Sequence, residues 1–141
     1  MNNDVLAARK RLQEGNYTCV VLKSSEEFTS HERGVQPLIT LLKSGSSFSG
    51  AVAADKTVGA GAAHLYVLLG ISALWANVVS VSAQKVLLDN GIDLSFGECV
   101  PHIINRRGDG ICPIETAVTG AKTSEEAYIC ITDALEQLKK Q

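Results

Sequence analysis

The chain has 141 residues, 45% of them hydrophobic and 20% charged, with 13 lysines and arginines set against 15 aspartates and glutamates for a formal net charge of −2. A chain of this length makes one domain that hides roughly 70% of the surface its unfolded form would expose, with no room for a second core, so a single domain over residues 1–141 is expected. Scattered charge disfavours a nucleic-acid partner, because neutralising several phosphates takes a clustered basic face. The one basic step, Arg106-Arg107, is followed by Asp109, and aromatic residues make up 5% of the chain, few for stacking on single strands.

Residues 1–14 carry Asp4, Arg9, Lys10, Arg11 and Glu14 without a continuous apolar core, which argues against a signal peptide. The longest apolar stretch, 60–76, is interrupted by His64, Gly70 and Ser72 and falls short of a bilayer span. A cytoplasmic protein with no membrane partner is expected. The four cysteines, Cys19, Cys99, Cys112 and Cys130, form no C-x-x-C or C-x-x-H pair that would favour a tetrahedral metal. Free thiols are expected in a reducing compartment, and no cofactor, metal included, is implied.

In chain order, Asn3-Asp4 caps a first helix with Val5, Leu6, Ala8 and Leu12 as its apolar stripe, stopped by Gly15-Asn16. Tyr17 to Lys23 reads as a buried strand, and Glu27 to Ser30 as its hairpin partner across a turn at Ser24-Ser25-Glu26. Gly34 to Lys43 carries Val35, Leu38, Ile39, Leu41 and Leu42 at helical spacing, with Pro37 in the first turn. Phe48 to Ala54 reads as a central strand, Asp55-Lys56-Thr57 as a turn, and Val58 to Leu69 as a helix ended by Gly70. A strand over Ala73 to Ser80, a helix over Val81 to Asp89 and a short strand over Ile92 to Phe96 follow. The segment 97–114 is irregular, and two helices, Ile114 to Val118 and Ser124 to Lys140, close the chain.

A hairpin followed by helix and strand units predicts a three-layer α/β/α fold whose mixed sheet is parallel in its later part. Ligands in such sheets bind beyond the carboxyl ends of the strands. That rule draws attention to residues 31–34, 55–61 and 80–82 and to the irregular segment after the last strand. Asp55-Lys56 precedes the small-residue run Gly59-Ala60-Gly61-Ala62-Ala63, which lets a ligand or a neighbouring backbone come close. Residues 50–57 miss a phosphate-binding P-loop because Asp55 stands where the second glycine belongs and would repel the phosphate. Tight packing of the small-residue helix on the sheet is the plainer reading. Asn105 and Arg106, in the polar run 105–110, could hold a carboxylate or phosphate, or form a solvated loop. His64 and His102 have no ligand-spaced partners and read as structural residues.

Three segments carry a family resemblance: Ala54-Asp55-Lys56-Thr57-Val58-Gly59, Val100-Pro101-His102-Ile103-Ile104-Asn105-Arg106, and Gly108-Asp109-Gly110-Ile111-Cys112-Pro113-Ile114-Glu115. With the element order they resemble the cytidine-deaminase-like fold, and more closely a family of small microbial proteins assigned to it, from about Tyr17 to Val118. The resemblance implies a fold and a site but no reaction. Zinc deaminases place H-x-E and P-C-x-x-C at the starts of two helices, whereas here the positions read Ser30-His31-Glu32-Arg33 and Asp55-Lys56-Thr57-Val58-Gly59. Zinc deamination is therefore not expected.

The resemblance centres on Cys112-Pro113-Ile114-Glu115. A thiol at a helix start ionises more readily, so Cys112 as nucleophile with Glu115 as acid or base is one reading. The other is a buried small hydrophobe with Glu115 as a helix-end charge. The leading expectation is a small-molecule binding protein, nucleotide-related ligands included, with Cys112, Glu115, Asp55, Lys56, Asn105 and Arg106 lining one pocket. A thiol enzyme and a non-catalytic regulatory protein are the alternatives. An edge strand near the hairpin and the apolar helices are compatible with a homodimer.

Overall fold

The computed structural model describes residues 3–24, 26–45, 47–105 and 107–140. Its elements are α1 (Asn3–Glu14), β1 (Cys19–Lys23), β2 (Glu26–Ser30), α2 (Gln36–Ser44), β3 (Val52–Val58), α3 (Ala60–Leu69), β4 (Ala73–Ser80), α4 (Val81–Asp89), β5 (Asp93–Val100), α5 (Pro113–Ala117) and α6 (Ser124–Lys139). The strands form one sheet in the order β2-β1-β3-β4-β5. β1 runs antiparallel to both β2 and β3, while β3, β4 and β5 are parallel. This is the expected α/β architecture, a mixed sheet entered through an antiparallel hairpin.

The two faces are covered unequally. On one, α1 sets Val5, Ala8 and Leu12 against Val20, Val52, Ala54, Ala73 and Trp75, and the Arg9 guanidinium lies 4.8 Å from the centre of the Trp75 ring. On the other, α2, α3 and α4 close over Val21, Ala53, Leu74, Ala76 and Val79. The last two helices, α5 and α6, pack on α3. Gly61 makes that approach close, since a Cβ there would come within 2.5 Å of Ile114 Cγ2.

Two strands differ from the sequence expectation. β3 begins at Val52 rather than Phe48 and runs on through Asp55-Lys56-Thr57 to Val58, so those residues lie inside a strand and not in the turn before a helix. The cause is Gly50, whose φ of +82° places it in the left-handed region that interrupts extended chain, while the Lys56 amide donates to Thr18 O at 3.0 Å. β5 extends four residues past Phe96 to Val100. Its largely exposed second half needs no burial pattern, because β5 is an edge strand.

Pleating slips once, in the same place, across the three parallel strands. Ala53 and Val58 on β3, and Leu74, Ala76 and Val79 on β4, all belong to the core beneath α3, although Ala76 and Val79 are an odd number of residues apart. Pairing stays in register on both sides of the slip, with Asp55 beside Ala76 and Ala76 beside Phe96, then Thr57 beside Val78 and Val78 beside Glu98. The slip therefore passes through the row Lys56, Asn77 and Gly97, and a Cβ on Gly97 would lie 2.8 Å from the Asn77 backbone oxygen. Because Val58 and Val79 turn toward α3, Thr57 and Val78 turn to the face that carries α1, past the residues α1 covers. Breaks of this kind re-aim side chains next to functional sites.

Candidate functional site

Glu115 ties the carboxyl ends of the three parallel strands together. It sits in the first turn of α5, where Pro113 occupies one of the first two helical positions and needs no amide partner. Although a carboxylate, it is only 5% exposed. One oxygen, Oε1, accepts from the Ala60 amide at the start of α3 at 3.2 Å, from Ser82 Oγ at 3.2 Å, and from Ser80 Oγ. The other accepts from the Ile103 amide. Ser80 is also the cap of α4, its Oγ accepting from the Ala83 amide at 3.2 Å. The carboxylate thus faces the positive ends of two helices and several hydrogen-bond donors, which together offset the cost of burying its charge.

The segment that carries Ile103 folds back on itself. Ile104 bridges Ile111, and the Cys112 amide donates to Ile103 O at 2.8 Å. Asn105 organises the tip: its Oδ1 accepts from the Gly108 amide at 2.9 Å and the Asp109 amide at 3.2 Å, and its Nδ2 donates to Asp109 Oδ1 at 2.9 Å.

Below this clasp lies an open cleft of about 460 Å³ lined by Thr57, Val78, Val100 and residues 101–104. Its walls are mainly aliphatic, with the Thr57 hydroxyl and the His102 imidazole as the polar side chains. Ile103 belongs to both features. Its amide is held by Glu115, its side chain lines the cleft, and its Cγ1 packs so near Gly59 that a Cβ there would be 3.1 Å away.

A second polar cluster is sealed under α3. Tyr66 donates its phenolic hydrogen to Asp55 Oδ2 at 2.6 Å, and Cys19 Sγ lies 3.3 Å from the same phenol oxygen. Asp55 Oδ1 accepts from the Thr57 amide at 3.2 Å. Burial pushes the Asp55 carboxyl up to about 7, against the opposing pull of the Tyr66 hydrogen bond. Burial also raises the Cys19 thiol, with the Asp55 charge adding to it, and the Tyr66 phenol rises well above its usual range.

The residues singled out from the sequence occupy distinct places. Asp55 points inward to Tyr66, while its neighbour Lys56 is exposed and donates from Nζ to Asn16 Oδ1 at 3.3 Å. Asn105 bonds within its own loop, and Arg106 lies outside the described residues. Cys112 is half-buried before α5 and packs against the core, and its backbone and Glu115 meet at Ile103. The strand-end rule marked residues 55–61, 80–82 and the irregular segment 97–114, ranges that contain Thr57 and Ile103 without singling them out, but passed over Tyr66. Tyr66 had one signal: it is the sole phenol in a helix otherwise built of small and aliphatic residues plus His64, and a buried phenol needs a partner. Elsewhere, His64 Nδ1 lies 3.1 Å from Ser124 Oγ, and His31 stacks on Tyr17 at 4.6 Å between ring centres. Among the described residues no three His, Cys, Asp or Glu side chains gather as a metal-holding group, and no helix is long and apolar enough to cross a membrane.

A family profile described as "TM1506: Domain of unknown function (DUF1893)" matches residues 7–135. A crystal structure of a DUF1893 family protein, TM1506 of Thermotoga maritima, is similar over 97% of this chain and 92% of that one, with 25% identity and a TM-score of 0.83. Two crystal structures of the dCMP deaminase of cyanophage S-TIM5 are more distant. The complex with dCMP and dUMP covers 68% of this chain and 98% of its own at 12% identity and a TM-score of 0.45. The apo form covers 71% and 100% at 14% identity and 0.44. No curated protein matches the chain.

Proposed function

We propose, from the premise that the chain belongs to the DUF1893 family, that it binds a small molecule in the cleft between Thr57, Val78, Val100 and residues 101–104. The observation that carries this reading is the shared pleat slip at Lys56, Asn77 and Gly97. It turns Thr57 and Val78 out of the core at the carboxyl ends of parallel strands, the place where open α/β sheets take ligands. Aliphatic walls with a few polar groups suit a flat, weakly polar body that is hydrogen-bonded at its edges. Nucleobases and nucleosides have that chemistry, and Thr57 and His102 supply donors and acceptors for it. Lys56 adjoins Thr57 and Asn105 adjoins Ile104 in the chain, so these two, with Arg106 as the sequence neighbour of Asn105, are the candidates for an attached phosphate.

Glu115 supports the site as a strut and does not touch the ligand in this reading. The thiol-enzyme alternative has less support, because the carboxylate that would take the Cys112 proton already accepts from two backbone amides and two serines. A thermal-shift panel of nucleobases, nucleosides and nucleotides tests the proposal. A ligand at a hundredfold excess over its dissociation constant stabilises by about 2.7 kcal/mol. Its upward shift in Tm is expected to vanish in Val78→Trp, which fills the cleft, while that variant still melts cooperatively. An unchanged shift in Val78→Trp, or no shift with any compound, overturns the reading.

A further inference from the structure

The two edges of the sheet are built differently. β2 spans five residues and carries Glu26 and Glu27, the latter paired with Arg11 at 2.8 Å. Short strands and edge charges blunt the tendency of unpaired backbone to capture another strand. β5 spans eight residues, and its middle, Leu94 to Gly97, is uncharged. Among the described residues its outer row of amides and carbonyls has no strand partner.

An apolar flank runs beside this second edge. Leu94 packs against the core beneath α4, and Cys99 Sγ donates to Gln84 of α4 at 3.4 Å, so α4 lies over β5. Val81 and Leu88 sit seven residues apart on α4, on one side of the helix, and are 57% and 54% exposed; Phe96 on β5 is 39% exposed. The Lys85–Asp89 pair, 2.7 Å apart, lies between and beside them and presents both signs of charge.

We infer that the β5 edge and the adjoining face of α4 form the interface of a two-fold homodimer. Antiparallel pairing of β5 with its counterpart joins two five-stranded sheets into one and gives the outer amides partners. A two-fold axis at Phe96 sets the two Phe96 side chains side by side. The same register puts Asp93 opposite Cys99 and Leu94 opposite Glu98 of the second copy, so no carboxylate faces another across the pair. It also brings the two α4 helices together with Val81 and Leu88 between them, and each Lys85 can meet an Asp89 of the other copy. This is the self-complementarity that a two-fold interface requires. The edge near the hairpin, which the sequence had suggested for such a contact, has the charges that oppose it.

Light scattering on the size-separated full chain tests the inference. The mass expected is about twice the 15.0 kDa of one chain, and it should halve both in Phe96→Glu and in Leu88→Arg. Each variant changes an exposed side chain, so circular dichroism should keep the wild-type spectrum. Hydrogen exchange supplies a second readout, in which the outward-facing amides of β5 around Phe96 exchange faster in the variants than in the wild type. A monomeric wild-type chain overturns the inference. So does a dimer that survives both substitutions with unchanged exchange along β5.

Discussion

Tyr66 donates to Asp55 Oδ2 across 2.6 Å, joining α3 to the centre of the sheet, where both residues are buried. Burial raises the Asp55 carboxyl from 3.8 to about 7, so the folded chain holds that proton more tightly than the unfolded one. The resulting stabilisation is complete below about 3.8 and is lost as pH rises through 7. Melting temperature is therefore expected to fall from roughly pH 4 to 8, the group contributing at most about 4 kcal/mol at ~1.4 kcal/mol per pH unit. Asp55→Asn should flatten this slope. A wild-type Tm that is level or rises across the window contradicts the assignment.

Tyr66→Phe removes one donor from the carboxylate and the neighbour of the Cys19 thiol. A buried acceptor left short of a partner costs about 1 to 3 kcal/mol. Urea unfolding should show a lower midpoint by that amount with an unchanged slope, and a loss below about 0.5 kcal/mol would mean that the Tyr66 hydrogen bond contributes little.

Glu115→Gln replaces an acceptor of four hydrogen bonds by a group that accepts at one atom only. Breaking a buried charged network costs about 3 kcal/mol or more. Ala60 and Ile103 bond different oxygens of Glu115, so the amide that comes to face the new side-chain NH2 should lose protection from hydrogen exchange first. Equal loss of protection through the whole sheet would mean that Glu115 is not a local tie.

Gly97→Ala would drive a methyl group to 2.8 Å from the Asn77 backbone oxygen. Overpacking of this kind costs roughly 1 to 3 kcal/mol. Chemical denaturation of the alanine variant measures it, and a neutral result would place the close strand approach elsewhere.

Thiol labelling separates the cysteines by access. Cys99 is exposed, Cys112 and Cys130 are intermediate, and Cys19 is buried. Under native conditions Cys99 should label first and Cys19 last, at a rate set by opening of the fold. If Cys112 outpaced Cys99, the nucleophile reading would regain ground.

Much of the fold was legible in the sequence because helix stops and strand runs coincide with the elements they predict. Gly45 and Gly70 do adopt the left-handed conformation that ends α2 and α3. The polar strand residues were not legible. Asp55, Lys56 and Thr57 look like a turn by composition, yet one is buried through a partner eleven residues away and the other two lie beyond the cover of α1. The candidate site was half visible for the same reason. Cys112 and Glu115 stand out in the sequence, as do residues 80–82, whereas the face on which Thr57 and Val78 emerge depends on a pleat slip that leaves no mark in residue type.

The donors that Glu115 gathers come from residues 60, 80, 82 and 103, so the tie is the last part of the site to be made as the chain emerges from the ribosome. A nascent chain that has just passed Val100 contains all five strands and leaves the starts of α3 and α4 without their carboxylate. Premature termination in the segment 101–112 would release such a species. Its strand ends would be open and its α3 bare of Ile114, Ala127 and Ile131, the features by which quality-control proteases recognise an unfinished protein.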